Sequence, residues 1–552
     1  MSDDLLALAR AWAAEDPDPH TRTELEDLVA AGDLDELADR FRGTLEFGTA
    51  GLRGALGAGP NRMNRVVVLR AAAGLVAYLV AEGAKPGDSV VIGYDARHNS
   101  DVFARDTAEV VTGAGLRALL LPAPLPTPLL AFAIRELGCV AGVMVTASHN
   151  PPADNGYKVY LGDGSQIVPP ADAGIAAQIA AVGALAEIPR GDSAEVLGDD
   201  VWDAYIASIV ALVDDGPRDL SIIYTPLHGV GGHTAVSVLR QAGFGHPHLV
   251  ARQARPDADF PTVAFPNPEE PGAMDLALEL AAEVGADIVV ANDPDADRCA
   301  IAVPVADSAQ PGPHGWQMLL GDEVGALLAQ HLLARGKNGV YAQSIVSSSL
   351  LGAMAAATGQ PHVETLTGFK WIGRIPGLAF GYEEALGYCV DPDHVKDKDG
   401  ISAMLLVCEI AAAAKAAGRT VRDLLDDIAR EHGLHATDQL SVRFDDLAQI
   451  PATMARLRNA PPASLGGLAV ERVEDLAEGS ASLPPTDGLR FTLADRARVI
   501  VRPSGTEPKV KCYLEVVIPV DPGEAGGVDA ARIAAVGRLD AIRADVAKAA
   551  GL

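Results

Sequence analysis

Three aspartates alternate in Asp293-Pro294-Asp295-Ala296-Asp297-Arg298, immediately after the apolar run Ile288-Val289-Val290. In extended backbone, side chains two positions apart point the same way, so the spacing predicts three carboxylates converging on one point. Such carboxylates repel one another unless a cation sits among them. Magnesium suits this set because it takes few protein carboxylates and completes its octahedron with water or phosphate oxygen. An EF-hand would need Gly at the sixth position and Glu at the twelfth, where this chain has Arg298 and Pro304. The apolar strand in front also argues against a merely solvated acidic turn.

A second loop, Thr146-Ala147-Ser148-His149-Asn150-Pro151-Pro152, follows the apolar run 141–145 and continues to Asp154-Asn155-Gly156-Tyr157-Lys158. A serine on a proline-stiffened loop, with His149 and Lys158 nearby as proton carriers, is placed for covalent catalysis. The same residue types also build ordinary turns, and spacing alone leaves both readings open. No G-x-S-x-G elbow occurs, which counts against a hydrolase triad. Arg53 and the pair Asp95 and Arg97 are charged groups near strand ends, singly no more informative than surface charges. Glu383 and Glu384 stand in a Gly-bounded loop, Gly381 to Gly387, where carboxylates could accept hydrogen bonds from vicinal hydroxyls; taken alone, the motif is more simply an exposed turn. Arg502-Pro503-Ser504-Gly505-Thr506-Glu507-Pro508-Lys509 offers a guanidinium fork, two hydroxyls and a flexible backbone between apolar strands, a way to wrap phosphate without a Walker sequence. No P-loop sequence is present, and Gly229 to Thr234 misses the third glycine of a dinucleotide fingerprint, so it reads as a tight strand-to-helix turn.

The elements that must carry these loops form a pattern used three times. Stretches from Ser89, Leu220 and Asn338 each give a short apolar strand, a polar loop and an Ala-rich helix; further on, each has a second apolar strand, at Cys139, Ala286 and Leu378, running into one of the polar loops. Alternating strands and helices imply parallel sheets with ligand loops at the carboxyl ends of strands. The expected architecture is three similar α/β domains, 1–204, 205–317 and 318–437, with a C-terminal α+β domain, 438–552. A length of 552 residues agrees with three or four domains.

A net charge of -30 opposes nucleic-acid binding, because that affinity comes from clustered cations. The apolar run from Ala118 to Ile134 is broken by Pro122, Pro124, Pro126 and Pro128 and reads as strand, loop and helix start rather than a membrane span. Five scattered cysteines without a C-x-x-C pair read as buried thiols of a reducing compartment, and the acidic N-terminus lacks a secretory pattern. A cytoplasmic protein is expected.

In combination, GTAGLRG from Gly48, TASHNPPADNGYK from Thr146, NDPDADR from Asn292, TGFKWIG from Thr367, EEALGY from Glu383, HVKDKDG from His394 and RPSGTEPK from Arg502 resemble the α-D-phosphohexomutase family along essentially the whole chain. The resemblance implies three mixed-sheet α/β domains and an α+β domain around a central active-site cleft. It places the phosphorylated serine on Ser148 and one Mg²⁺ on Asp293, Asp295, Asp297 and the Ser148 group. It further implies substrate contacts at Arg53, Arg298, Thr367, Gly368, Lys370, Glu383 and Glu384, and a phosphate loop at Arg502, Ser504, Gly505, Thr506 and Lys509. Lys398, Lys158 and His149 are the candidate proton carriers, with Lys398 favoured by its segment. The implied activity is a mutase interconverting hexose 1-phosphate and 6-phosphate, glucose before mannose, with a sugar 1,6-bisphosphate as activator and a monomer or homodimer as the assembly. Ala385 and Gly387 depart from the commoner sugar loop toward the phosphopentomutase-like branch, which keeps pentose phosphates as the rival substrate. A phosphatase would discharge Ser148 to water; a non-catalytic binder would show decay at the serine or metal loop, and both are intact.

Overall fold

The computed structural model describes residues 2–46, 51–192, 194–305, 313–444, 446–480, 483–504, 509–521 and 527–552. They divide into two compact units, residues 1–318 with 387–409 and residues 319–386 with 410–552.

The first unit opens with three helices, Ser2–Glu15, Pro19–Ala31 and Leu34–Phe41, gathered on buried Ala9, Leu25 and Leu37. A six-stranded mixed sheet follows. Ser89–Tyr94 pairs in parallel with Arg117–Leu120 and Ala141–Val145, and Asp154–Leu161 returns antiparallel beside the latter. The inner strands are continuous apolar runs because helices such as Arg65–Ala81 and Ser100–Gly113 cover the sheet. The predicted break at the proline cluster is present: strand Arg117–Leu120 ends before helix Thr127–Glu136 begins. A second mixed sheet of five strands has Ile222–Thr225 and Ile288–Ala291 parallel at its centre and Ala300–Pro304 antiparallel beside them.

In the second unit, His362–Thr365, Val340–Ser344 and Leu378–Glu383 lie parallel in that order. The C-terminal part is an antiparallel sheet that includes Leu434–Arg443, Lys509–Ile518, Arg498–Pro503 and Leu489–Leu493. Helices Gln449–Asn459 and Gly527–Ala550 share its core with it. Four sheets thus give the expected three α/β domains and one α+β domain. The threefold pattern appears as register: the first strand of each repeat pairs in parallel with the strand that carries a candidate site loop, Tyr94 with Val145, Thr225 with Ala291 and Gln343 with Tyr382. All five cysteines are buried free thiols. Among the described residues, no single helix is long and apolar enough to cross a membrane.

Asp322, in the second unit, is a buried acid in helix Gly321–Ala334. It accepts from Ser348 N at 2.7 Å, Tyr382 Oη at 2.9 Å and Thr437 Oγ1 at 2.9 Å. Burial outweighs these bonds, and the charges of Glu384 and Glu515 add to it, so its carboxyl is pushed up to about 7. An acid with a raised folded pKa keeps its proton where the unfolded chain has lost it, so stability falls as pH rises from the ordinary value of 3.8 towards about 7. Thermal melts across that window are expected to show a flatter pH profile for Asp322→Asn than for the wild type, with the variant's relative stability growing as pH rises. Parallel profiles would contradict the assignment.

Candidate active site

The serine loop leaves the carboxyl end of strand Ala141–Val145 and turns at once. Ser148 adopts a left-handed φ of 52°, with its amide on Thr146 Oγ1 at 2.8 Å. That conformation is uncommon for a residue with a side chain and needs support. Arg97 supplies much of it. Its guanidinium donates to the carbonyls of Ser148 and Asn150 at 2.6 Å each, Pro151 at 2.7 Å and Asp154 at 3.1 Å. Asp95 receives the Arg97 amide, and Phe260 lies under the guanidinium with its ring centroid 4.9 Å away. Arg53 donates to Asn150 Oδ1 at 2.9 Å. The charges that looked unremarkable in sequence therefore frame the serine loop, and Arg97 acts on its backbone.

The acids do converge, but through a turn rather than an extended strand. Ala296 has a φ of 56° and donates its amide to Asp293 O, which folds Asp293, Asp295 and Asp297 onto one another. One ligand oxygen from each lies within 4.8 Å of the others, and all three residues are buried. Gly229 permits the close approach of its own loop to this turn. A Cβ there would lie 2.3 Å from Pro294 Cα, and the neighbouring Val230 amide donates to Pro294 O. The tight-turn reading of Gly229 to Thr234 fits this placement.

Around the triad stand cations from other elements. Strand Asp154–Leu161 pairs Lys158 opposite Met144, and its ammonium lies 2.8 Å from Asp295 Oδ2 and 3.0 Å from Asp297 Oδ2. Lys398 Nζ is 3.0 Å from Asp297 Oδ2. Arg298 donates its amide to Asp293 Oδ1, and its guanidinium lies 4.0 Å from both Asp293 and Asp297. Ser148 Oγ donates to Asp293 Oδ2 at 2.9 Å and lies 3.1 Å from His149 Nδ1. Serine, triad and Lys158 therefore form one buried cluster, with half-buried Lys398 at its edge.

The electrostatics follow from burial and these pairings. Burial, then the charges of Asp295 and Asp297, push Asp293 well above the usual carboxylate range. Burial acts on Asp297 too, but Lys158, Lys398 and Arg298 outweigh it and hold that carboxyl well below its ordinary value. Asp295 is lowered against burial and its neighbour's charge by Lys158 and by the Thr127 hydroxyl. Lys158 is raised, since two carboxylates exceed the penalty of burying it. Burial and the nearby Arg298 and Arg53 lower His149 well below 6.5.

The donor set fits a hard divalent ion. Asp295 Oδ1 and Asp297 Oδ1 are buried without a hydrogen-bond partner among the described residues, and the Lys158 ammonium already bridges two of the acids as a cation would. With all three acids ionised, as ligation requires, their charge is already matched by Lys158, Arg298 and the nearby Arg53, before Lys398 is counted. A divalent ion would bring two charges that the protein does not match.

Several supporting residues were not visible in sequence. Thr127 donates its hydroxyl to Asp295 Oδ2 at 2.6 Å and its amide to Asp295 O at 2.9 Å; its place between Pro126 and Pro128 was the available signal. Asp397 accepts from Tyr160 Oη at 2.7 Å and Gln166 Nε2 at 2.8 Å, and lies 3.8 Å from the Lys398 ammonium. Gly387, where the loop departs from the commoner pattern, leaves room for that lysine: a Cβ would lie 2.3 Å from Lys398 Cδ.

The remaining expected contacts belong to the second unit. Glu383 ends strand Leu378–Glu383 and accepts from Gly368 N at 2.6 Å, which ties it to the Thr367-Gly368 turn. Lys370 is buried with its ammonium 5.7 Å from the Trp371 ring centroid. Glu384 accepts from Ser344 Oγ at 3.1 Å and Ser347 Oγ at 3.0 Å. Arg502 stands near the end of strand Arg498–Pro503, and Ser504 N donates to Lys509 O at 2.8 Å. Gly505 and Thr506 lie outside the described residues.

Models of the phosphoglucomutase/phosphomannomutase family match alpha/beta/alpha domain I over residues 44–185, domain II over 203–306, domain III over 320–432 and the C-terminal domain over 442–521. The chain belongs to this family. Its enzymes are mutases of the isomerase class, and this phosphoglucomutase/phosphomannomutase family member is one of them. A probable phosphomannomutase of Haemophilus influenzae is 49% identical over 460 residues, 82% of this chain and 93% of the relative. A probable phosphoribomutase of Schizosaccharomyces pombe is 37% identical, covering 93% and 94%. Among solved structures, a putative phosphomannomutase from Thermus thermophilus superposes with a TM-score of 0.71 at 27% identity, covering 91% of this chain and 99% of that one.

Arg97→Lys keeps a charge but loses the fork that reaches four carbonyls. Hydrogen exchange in the variant is expected to quicken at the amides of 148–155 while those of strand Ser89–Tyr94 stay protected. Unchanged exchange in the loop would show that Arg97 does not hold it.

Proposed function

We propose that the protein is a cytoplasmic, magnesium-dependent phosphosugar mutase that moves a phosphoryl group between two hydroxyls of a hexose phosphate through phosphorylated Ser148, with glucose before mannose as the hexose. The observation that carries the reading is Ser148 Oγ on Asp293, inside a triad flanked by Lys158 and Lys398. The assembly is taken as a monomer or homodimer, with domains at 1–204, 205–317, 318–437 and 438–552.

In the forward half of the cycle, the Ser148 Oγ–P bond breaks as the free hydroxyl oxygen of a sugar monophosphate bonds to phosphorus. Lys398 enters this step as the neutral amine, its ammonium proton having passed to solvent, and Nζ, positioned by Asp397 and Asp297, takes the proton of that hydroxyl. The resulting 1,6-bisphosphate turns over. Its other phosphoryl group then returns to Ser148, Lys398 gives the proton back to the departing sugar oxygen, and the enzyme ends as it began. This is why a sugar 1,6-bisphosphate would serve as activator for enzyme that has lost its phosphate. Lys158 remains on Asp295 and Asp297, where Arg298 and Arg53 add positive charge around the reacting group. Glu384, with Glu383 holding the Thr367-Gly368 turn, receives sugar hydroxyls, while Arg502, Ser504, Gly505, Thr506 and Lys509, with Lys370, hold the phosphate that is not reacting. Magnesium on Asp293, Asp295, Asp297 and the Ser148 group would stabilise charge on the transferring phosphoryl oxygens.

A second reading, pentose 1-phosphate and 5-phosphate, is supported by Ala385 and Gly387 in the sugar loop and by the fission-yeast relative, a probable phosphoribomutase. Purified protein given glucose 1-phosphate, mannose 1-phosphate or ribose 1-phosphate with Mg²⁺ and a trace of bisphosphate is expected to form the isomeric monophosphate. The fastest conversion is expected with glucose. Ser148→Ala should reduce turnover to background, and Lys398→Ala should lower kcat by about 10²–10⁴-fold. Release of free phosphate at the same rate would make the protein a phosphatase instead.

The charge balance adds a prediction about metal affinity. Because the triad is already matched, a phosphoryl dianion on Ser148 is what matches the two charges of the ion. Calorimetric titration is expected to show tighter Mg²⁺ binding to phosphorylated than to dephosphorylated enzyme; equal affinities would contradict this balance.

A further inference from the structure

In each repeat, the loop after the first strand holds the loop that carries a candidate site. Arg97 follows Ser89–Tyr94 and grips the serine loop, while Gly229 and Val230 follow Ile222–Thr225 and support the acidic turn. The third repeat has its own version, built from serines. Ser347 Oγ accepts from Glu384 N at 3.0 Å and donates to Glu384 Oε2 at 3.0 Å, closing a ring about that residue. Ser344 Oγ reaches the same oxygen at 3.1 Å and lies 2.9 Å from Ser347 Oγ. Both hydroxyls use Oε2, so among the described residues Oε1 is the oxygen left to accept from a ligand.

The serine turn is itself held by two charges of the C-terminal sheet, buried Glu515 and half-buried Arg498. Arg498 donates to Ser347 O and, at 3.2 Å, to Ile345 O. Glu515, paired across the sheet with Arg498 and bonded to its guanidinium, accepts from Ser348 Oγ at 2.7 Å and Ser349 N at 2.8 Å. The pair thus takes the carbonyls of the turn on one side and its amide and hydroxyl donors on the other. Burial would raise Glu515, but Arg498, His435 and the Ser348 hydroxyl outweigh it and hold the carboxyl at about 2, so this grip is charged at neutral pH. Arg498 also shares one face of its strand with Arg502 of the phosphate segment, since the two are four positions apart.

We propose that Ser347, held by Arg498 and Glu515, is the positioning residue that fixes the Glu384 carboxylate for sugar recognition. The inference rests on the reading of Glu384 as the acceptor of sugar hydroxyls. It assigns sugar affinity to a serine outside the sugar loop and to an ion pair in another domain.

The test is a double-mutant cycle on kcat and KM for glucose 1-phosphate with Ser347→Ala, Glu384→Gln and the pair together, beside Ser347→Thr and Arg498→Lys. Ser347→Ala is expected to raise KM about tenfold, the size of one lost hydrogen bond to a charged group, with kcat within about twofold. Ser347→Thr, which keeps the hydroxyl, should restore KM. The double variant should be no worse than Glu384→Gln alone, because both act through one carboxylate. Arg498→Lys should raise KM in the same way; if it does not fold, the serine variants still decide. A wild-type KM in Ser347→Ala beside a raised KM in Glu384→Gln would overturn the positioning role, as would additive effects in the double variant. An unchanged KM in Glu384→Gln would instead overturn the sugar reading of Glu384, and this inference with it.

Discussion

Three carboxylates folded onto one buried turn are the constraint around which the first unit is organised. Placing even one ion out of water costs several kcal/mol unless it is paired, and like charges side by side add to that cost. The protein meets it by drawing compensating groups from separate elements: Lys158 from a strand of the first sheet, Lys398 from beyond the third-repeat loop, Thr127 from a helix start, and Arg298 from the turn itself. Removing any one of them would leave a buried charge exposed to its neighbours. The same compensation places a serine hydroxyl and two lysines beside the acids, where the proposed phosphoryl transfer would use them, so on that proposal the stability and the chemistry of the site have a common origin.

The rest of the architecture supplies rigidity to loops that are individually strained. Ser148 and Ala296 both sit at left-handed φ, and each is backed by a loop from the preceding parallel strand of its own repeat. Parallel pairing brings the carboxyl ends of neighbouring strands to the same edge, so a loop after the first strand always lies beside a loop after the second. The three repeats use different residues for this support: an arginine on carbonyls, a glycine that permits close approach, and serines on a carboxylate. What repeats is the position of the support.

The contiguous parts of the site were legible in the sequence because each motif carries its chemistry within a few residues. The acidic turn, the serine loop and the repeated strand-loop-helix layout all stand where the pattern placed them. Alternation alone does not bring the acids together, since a left-handed Ala296 and not an extended strand makes them converge. The supporting residues were hidden for a geometric reason. Thr127 and Asp295 are 168 positions apart, and Tyr160 and Asp397 are 237 apart, separations at which no local pattern exists. Arg97 was visible only as one charge among many, because its four partners are backbone carbonyls and leave no trace in residue type.

The claim on which the account turns is that Ser148 receives and returns the phosphoryl group, and peptide mass spectrometry tests it most directly. Enzyme incubated with a hexose 1,6-bisphosphate and Mg²⁺ should carry one phosphate on the peptide containing Ser148, and addition of the hexose monophosphate should discharge it with re-formation of the bisphosphate. Phosphate found on another residue, or a Ser148 phosphate that the sugar monophosphate cannot remove, would contradict the account.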